Sequence, residues 1–470
     1  MGTPQDLPSG YHFKEGNLFV GNNDRPISNF YLTPSQVYCV NGNTLPSFAD
    51  IEIVQSGSSV PLSQHTALSK LTPQWWKNPP PGCVFYPESW GAPQHLRTLF
   101  GLLLAQLEPV AIFQPNRLGW TKIPPGKPVY ITGSGGIGAD GFLPPEQVWI
   151  PSELKDYRLE QASEVPIEGA LDYFWKLFWA IPGITDILVV NALSSILFPF
   201  FKLAGIESRF PLILEGPSEA KKTTLACLTS SLYNRKSTPC GSVVTLTSTQ
   251  RALERRGVYL RHATIIFDDL FPDGRNALER KALGLIRDIA NQRPREARSG
   301  KTLTSAVMEC GAVLTAEYFP DCGLSTRTRC LRLVLAEHIP SSTLTPFQET
   351  PELLGTVIAE FISHVAAKFD EIATDIKADF QSYRIQRAQK DASPVKSERL
   401  AEIGFVLCKT LHIFMEIFPL DVEIRDKILE SFQSWVNYRL DWQLSPEASP
   451  KSDIVIALLP RIIKENRALR

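Results

Sequence analysis

The 470-residue sequence is poor in the side chains that most often carry metal or acyl-transfer chemistry. It has seven histidines, and its eight cysteines (Cys39, Cys83, Cys227, Cys240, Cys310, Cys322, Cys330 and Cys408) form no CxxC pair and have no histidine at zinc-ligand spacing. Neither a zinc site nor a Ser-His-Asp arrangement is readable, and reduced thiols, the usual state in the cytoplasm, are expected. The opening MGTPQDLPSGYHFKEG has no basic stretch followed by an apolar one, so no secretory leader is expected. MGTPQD also lacks the Ser or Thr of a myristoylation signal. The apolar run Ile187 to Phe201 contains Asn191, Ser194, Ser195 and Pro199. It is shorter than the roughly 20 residues that cross a bilayer, so a buried core helix is expected and a membrane partner is not. A net charge of −1 points to no polyanionic partner by itself.

Hydrophobic residues make up 43% of the chain and charged ones 21%, enough to bury a sizeable core spread over two to four domains. Residues 1–160 alternate short apolar runs (NLFVG, QVYCV, IEIV, PVYIT) with Gly, Pro and Asn, the pattern of a β-rich domain. One helix interrupts it, where Leu96, Leu99, Leu103 and Leu107 recur at helical spacing up to Pro109. Residues 161–205 read as a helical linker broken at Pro182-Gly183. Residues 206–345 alternate strands (PLILE, ATIIFDD, GAVLTAE, CLRLVLAE) with helical stretches, which implies βαβ units around a mostly parallel sheet. Residues 346–470 read as helical: Thr350 to about Ile385, Ser397 to Phe418, Val422 to Leu444, and a last helix after Asp453. The expected fold class is multidomain α/β. Lys and Arg outnumber Asp and Glu between Gly205 and Pro340, while the remainder is net acidic, so an anion belongs to the centre.

In that centre a strand runs into Gly216-Pro217-Ser218-Glu219-Ala220-Lys221-Lys222-Thr223-Thr224 and then into a helix former. In the pattern GxxxxGK[ST], backbone N–H groups and a helix N-terminus cradle phosphates, Lys reaches the β and γ phosphates, and Ser or Thr ligates Mg²⁺. Lys222 and Thr223 fill the last two roles, and residues 216–224 are the expected ATP cradle. The glycine before the lysine is replaced by Lys221. A side chain there crowds the turn, yet the backbone N–H is kept and a second ammonium suits a triphosphate. A surface turn before a helix would read the same way were it not for the strand that precedes it.

Some forty-five residues on, the apolar strand ATIIFDDL closes on Asp268 and Asp269, a Walker B reading. Asp268 is expected to hold the Mg²⁺ shell and Asp269 to orient the attacking water. Strands often end in acidic pairs, so this reading leans on the P-loop. In GAVLTAE, Thr315 is the candidate γ-phosphate sensor, with Glu317 nearby. STRTRCLRL supplies Arg327, Arg329 and Arg332; guanidinium is always charged and bidentate, which suits an arginine acting across a subunit boundary, and Arg327 and Arg329 are the preferred candidates. Arg293, Arg295, Arg298 and Lys301 lie in a loop-like stretch that suits a phosphate backbone, although charge runs are more often solvated faces. Without interleaved aromatics it offers no base stacking. Gly133 to Gly138 matches GxGxxG, but the prolines that follow preclude the helix a dinucleotide site needs, so a glycine-rich hairpin is expected. Trp75-Trp76 and Trp120 read as packing residues.

Taken in order, ISNF, LGWTKIPPGKPVYIT, LEGPSEAKKTTLA, IIFDDL, IANQRPREAR and AVLTAEYF resemble the family catalogued as domain of unknown function 927, over nearly the whole chain. That family comprises helicase- and primase-associated replication proteins of plasmids, phages and integrated elements. The resemblance implies an AAA+ or superfamily 3-like motor using ATP and Mg²⁺, a ring-shaped homo-oligomer, and unwinding of or translocation on DNA. By position, Lys222, Thr223, Asp268 and Asp269 match its nucleotide site, and Lys221 stands where many members keep glycine. No primase module or winged-helix domain is readable, so a primase or other replication protein is an expected partner. Two other readings stay open: a nucleotide-gated DNA- or protein-binding module with little hydrolysis, and an ATPase acting on proteins.

Overall fold

The computed structural model describes residues 7–444 except 44, 56–57, 88, 124–125, 163–164, 207–208, 237–239, 273, 275, 293–294, 300–301, 390–396 and 419. For residues 295–299, 302–306 and 388–389 it describes the backbone alone. The chain divides into two compact units, residues 1–114 with 144–149, and residues 115–143 with 150–470.

The first unit is β-rich. β1 (Tyr11–Lys14) and β2 (Asn17–Val20) form a hairpin; β3 (Phe30–Val40), β4 (Phe48–Gln55) and β5 (Ser58–Ala67) form an antiparallel meander. α1 (Ala92–Leu104) packs on β3, burying Leu96, Leu99, Phe100 and Leu103 with Phe30, Leu32 and Val37 in one core. The helix stops at Leu104, so it holds three of the four expected apolar positions, Leu96, Leu99 and Leu103, and Leu107 lies in the turn beyond it, its N–H bonding Leu104 O at 3.3 Å. β6 (Val110–Ile112) pairs parallel to β3. Trp76 is buried against Phe100, with rings 5.4 Å apart, in keeping with a packing role.

The second unit opens with the antiparallel strands β7 (Gly119–Ile123), β8 (Lys127–Thr132), β9 (Gly135–Gly138) and β10 (Gly141–Phe142). The GxGxxG run is the hairpin between β8 and β9, paired Thr132↔Gly135. α2 (Ile167–Phe178) leads to α3 (Thr185–Leu203). Among the described residues α3 is long and apolar enough to cross a membrane, which corrects the expectation that this run is too short. Burial rather than length decides its place, because 83% of its 18-residue apolar window is inside the protein.

The centre is a five-stranded parallel sheet ordered β12 (Val243–Thr245), β13 (Thr264–Leu270), β16 (Gly311–Ala316), β11 (Pro211–Glu215) and β17 (Leu331–Val334). Helices α4 (Lys222–Ser230), α5 (Gln250–Tyr259), α6 (Ala277–Asn291) and α7 (Leu324–Arg327) connect the strands. Every residue of β11, β16 and β17 is buried, as in a sheet covered on both faces, and all are apolar but Glu215, Thr315 and Arg332. Neither strand flanking β11 is its neighbour in sequence, which opens a crevice at the carboxyl ends of the strands, where open α/β sheets hold ligands. Between α6 and β16 the chain makes the hairpin β14 (Arg295–Ser299) and β15 (Thr302–Ala306), paired from Arg295↔Ala306 to Ser299↔Thr302. A loop was expected there; its Arg, Glu and Ala carry little strand propensity, which hid the pairing.

The rest is helical: α8 (Ser341–Glu349), α9 (Glu352–Ala367), α10 (Phe369–Gln389), α11 (Glu398–Met415) and α12 (Val422–Trp442). The helix expected from Thr350 to Ile385 is two, divided at Lys368. The helix expected after Asp453 lies outside the described residues. The eight cysteines are free thiols.

Candidate active site

β11 delivers the chain to the sheet edge at Gly216, whose N–H bonds Ala316 O at 3.1 Å. A Cβ at 216 would come within 3.0 Å of Leu335 Cβ and 3.1 Å of Leu335 O, so glycine is required where the loop passes the end of β17. Pro217, Ser218 and Glu219 are exposed and Ala220 is buried, its N–H bonding Pro217 O at 3.3 Å. Glu219 and Lys221 both have φ of 63°, left-handed conformations that glycine takes at no steric cost. Lys221 accepts that strain at the position where the pattern has glycine. Its ammonium leaves the loop and donates to Ser341 Oγ at 2.5 Å, while its backbone stands at the head of α4. No side chain caps α4, so the first N–H groups of the helix, around Thr223 and Thr224, are free to face an anion.

Lys222 folds back across the loop and donates to Gly216 O at 2.9 Å and Pro217 O at 2.7 Å. Burial pushes its pKa below the ordinary lysine value, against the opposing pull of Glu317, Asp269 and Asp268. Thr223 Oγ1 donates to Asp268 Oδ1 at 2.6 Å, which joins the loop to the strand tip 45 residues later. Thr315, 1% exposed at the end of β16, donates to the same oxygen at 2.6 Å and accepts from Asp269 N–H at 3.0 Å.

Two consecutive strand residues ordinarily face opposite ways. Here β13 shifts register between Phe267 and Leu270, and Asp269 adopts φ of 75°. Such a bulge re-aims side chains at a sheet edge. The Asp269 carboxyl is raised above the usual aspartate value by burial, then by Asp268 and Glu317, with Lys222 opposing. Glu317 is the participant to which the sequence assigned no role; the signal was an acidic residue two positions past Thr315. Lys222, Thr223, Asp268, Asp269 and Thr315 thus converge.

The arginines do not join them. β11 and β17 are parallel, with Leu212 beside Leu331, so Arg327 and Arg329 precede β17 at the edge opposite the loop. A strand of this length separates the edges by roughly 15 Å. Arg327 pairs with the exposed Asp321 at 3.6 Å, and Arg329 Nε donates to Asn291 Oδ1 at 3.2 Å. Arg332 is buried, bonded to Glu215 at 2.8 Å and stacked on Phe319 and Trp442. Of the basic stretch, Arg295 and Arg298 lie on β14, whose side chains are not described, and Arg293 and Lys301 lie outside the described residues.

No family model matches the chain, so membership of the domain of unknown function 927 family has no match behind it. No curated protein matches it either. Among solved structures the chain is similar to that of the SCCmec type IV Cch active helicase, at 14% identity and a TM-score of 0.59, covering 99% of this chain and 84% of that one. The fold is helicase-like. The apo A form of the NrS-1 C-terminal region aligns at 11% identity over 84% of this chain and 86% of that one, with a TM-score of 0.29 that carries no argument.

Proposed function

We propose that the chain is an ATP-hydrolysing motor of the helicase type that unwinds or translocates on DNA. The observation that carries this reading is Asp268 Oδ1, which takes hydroxyl hydrogen bonds from both Thr223 and Thr315 at 2.6 Å. One carboxylate thereby gathers the loop, the acidic strand and the sensor strand.

The donor set suits Mg²⁺. Among the described residues no three His, Cys, Asp or Glu side chains gather as a metal site. Mg²⁺ does not need one, since it takes one or two carboxylates or hydroxyls and completes its shell with phosphate oxygens and water. Thr223 and Asp268 are the residues that would hold it, and the ion would supply charge neutralisation at the β and γ phosphates. The backbone N–H groups of residues 218, 219 and 221–224 bind the phosphates of ATP, and Lys222 exchanges its two carbonyl partners for phosphate oxygens. Asp269 orients a water molecule and accepts its proton. The water oxygen then bonds to the γ-phosphorus as the bridging P–O bond breaks, its electron pair leaving with ADP. Thr315 fixes the Asp269 backbone through the bond to its N–H.

Arg327 and Arg329, remote from their own loop, suit a neighbouring copy's nucleotide, which makes a ring-shaped homo-oligomer part of the proposal. The hairpin carrying Arg295 and Arg298 is the proposed DNA contact, with Arg293 and Lys301 in the same stretch. Replication of a plasmid, phage or integrated element in the cytoplasm, beside a primase or another replication protein, is the setting that the sequence resemblance suggests. The four-part division at residues 160, 205 and 345 belongs to the same proposal. ATP turnover with and without a single-stranded oligonucleotide, in the wild type and in Asp269→Asn, tests it. The motor predicts DNA-stimulated turnover, and a variant that binds ATP yet fails to cleave it. Tight ATP binding with negligible wild-type turnover would instead indicate a nucleotide-gated binding module.

A further inference from the structure

Two thiols that no sequence motif joins meet at the P-loop helix. Cys227 lies on α4, one helical turn past Thr223 and on the same face of the helix, and Cys240 lies just before β12. Their Sγ atoms are 2.7 Å apart and joined by a hydrogen bond, although the residues are 13 positions apart in sequence. Both are held in place by the chain around them. Val243 N–H bonds Cys240 O at 3.1 Å, and a Cβ at Gly241 would come within 2.7 Å of Asn234 Nδ2, so the turn after Cys240 is pressed against Asn234. The Ser231 hydroxyl, just past α4, donates to Ser242 Oγ at 3.0 Å and fastens the same two segments beside the thiols. The buried Arg235 donates to Ser231 O at 2.6 Å and to Leu228 O near the end of α4.

Cysteine is among the most buried residue types, so packing alone would explain one thiol in this place. It does not explain two in contact, and their surroundings differ from those of the other thiols. Burial holds Cys83, Cys310, Cys322, Cys330 and Cys408 above the ordinary thiol value. Cys240 is held below it, first by the hydrogen bond shared with Cys227, against burial, and then by Ser231, the Ser242 backbone and the charge of Arg235. Cys227 is raised in turn, first by the same bond and then by burial, so Cys227 keeps its proton while Cys240 gives its own up. A thiolate beside a guanidinium is the reactive form of cysteine, and the half-buried Cys227 leaves the pair open to a small oxidant.

We infer that Cys227 and Cys240 are a redox modification site, closed to a disulfide by a peroxide and reopened by a thiol reductant, and that the closed form restrains the P-loop helix. The Cys240 thiolate displaces hydroxide from hydrogen peroxide and becomes a sulfenic acid. The Cys227 sulfur then attacks that sulfur, and the sulfenic hydroxyl leaves with the Cys227 proton as water. Two thiols and one peroxide give one disulfide and two waters, and two molecules of a monothiol restore the pair. A disulfide of this transient kind is the one that a reducing compartment allows. The bond would join α4, whose first turn carries Lys222 and Thr223, to the lead of β12, whose Thr245 lies beside Asp268 in register. Helix and strand then no longer shift independently around the nucleotide. That consequence rests on the proposal that these residues bind ATP, whereas the redox site does not.

The test treats the full chain with hydrogen peroxide, alkylates the remaining thiols, and maps the cysteines by mass spectrometry. The expected product has lost two hydrogens, carries Cys227 and Cys240 in one crosslink, and has its other cysteines alkylated; dithiothreitol returns both to the alkylated set. Oxidation lowers ATP turnover severalfold and dithiothreitol restores it, while Cys227→Ala keeps the turnover of the reduced wild type and ignores peroxide. Should Cys240→Ala, at a buried position, not fold, Cys227→Ala and wild-type alkylation give the same reading. No crosslink, or one between other cysteines, overturns the inference. A crosslink that leaves turnover and ATP affinity unchanged overturns the restraint of the P-loop helix. A reduced wild type that neither binds nor hydrolyses ATP overturns the ATP proposal instead. The redox site is then decided by the crosslink and by a thermal midpoint that oxidation raises by several degrees in the wild type and not in Cys227→Ala.

Discussion

Replacing Thr315 with valine keeps the shape of a fully buried side chain and removes two hydrogen bonds at the centre of the site. The lost hydroxyl donates to Asp268 Oδ1 at 2.6 Å and accepts from Asp269 N–H at 3.0 Å. A hydrogen bond to a charged group contributes roughly 1.5–3 kcal/mol, and an ordinary one about 1 kcal/mol. Because the second bond holds Asp269 in its left-handed conformation, with φ of 75°, the carboxylate proposed to position water loses its anchor. A combined loss of roughly 2.5–4 kcal/mol, felt in the transition state at about 1.4 kcal/mol per factor of ten, lowers turnover roughly 10²- to 10³-fold. Thr315→Ser retains the hydroxyl and stays within about threefold of wild type, well under 1 kcal/mol. Steady-state phosphate release at saturating ATP with DNA present measures both. A valine variant as active as the serine variant would refute the coupling of Thr315 to the acidic pair.

Three further outcomes follow from groups around the site. Arg332→Ala and Glu215→Ala each break a buried pair of 2.8 Å and destabilise by roughly 3–5 kcal/mol, and the double variant costs less than their sum; denaturant titration reads all three. Asp186, fully buried at the start of α3, is pushed up to about 7 by desolvation, against bonds from Ile187 and Gly183 and the charge of Arg439. The folded state therefore keeps a proton that the unfolded chain gives up near pH 4, so wild-type stability falls as pH rises from about 4 to about 7, by at most roughly 4 kcal/mol. Asp186→Asn flattens that stretch of the stability–pH curve, and an unchanged curve would refute the assignment. Lys221→Gly relieves a left-handed residue and stabilises by about 1 kcal/mol; a lower unfolding midpoint would show that the bond to Ser341 outweighs the strain.

The site was legible where its parts are contiguous. Residues 216–224 and 263–270 each carry strand, turn and chemistry within one short segment, so hydrophobic pattern and motif agree there. Three-dimensional consequences were not legible. Nothing in Lys221 announces that its side chain turns away toward Ser341, 120 positions on. Arg332 reads like its neighbours Arg327 and Arg329 until its partner Glu215, 117 positions away, shows it to be a packing residue. The basic hairpin resembled a loop because pairing, rather than propensity, makes it a strand.

The central claim is that residues 216–224, with the acidic tip of β13, bind a Mg²⁺-bound triphosphate. Calorimetric titration of ATP into the wild type and into Lys222→Ala, with Mg²⁺ and again with the metal chelated, tests it most directly. The account predicts wild-type binding that weakens sharply without Mg²⁺ and is lost in Lys222→Ala while that variant stays folded. Equal affinity in the two proteins, or binding indifferent to Mg²⁺, would contradict it.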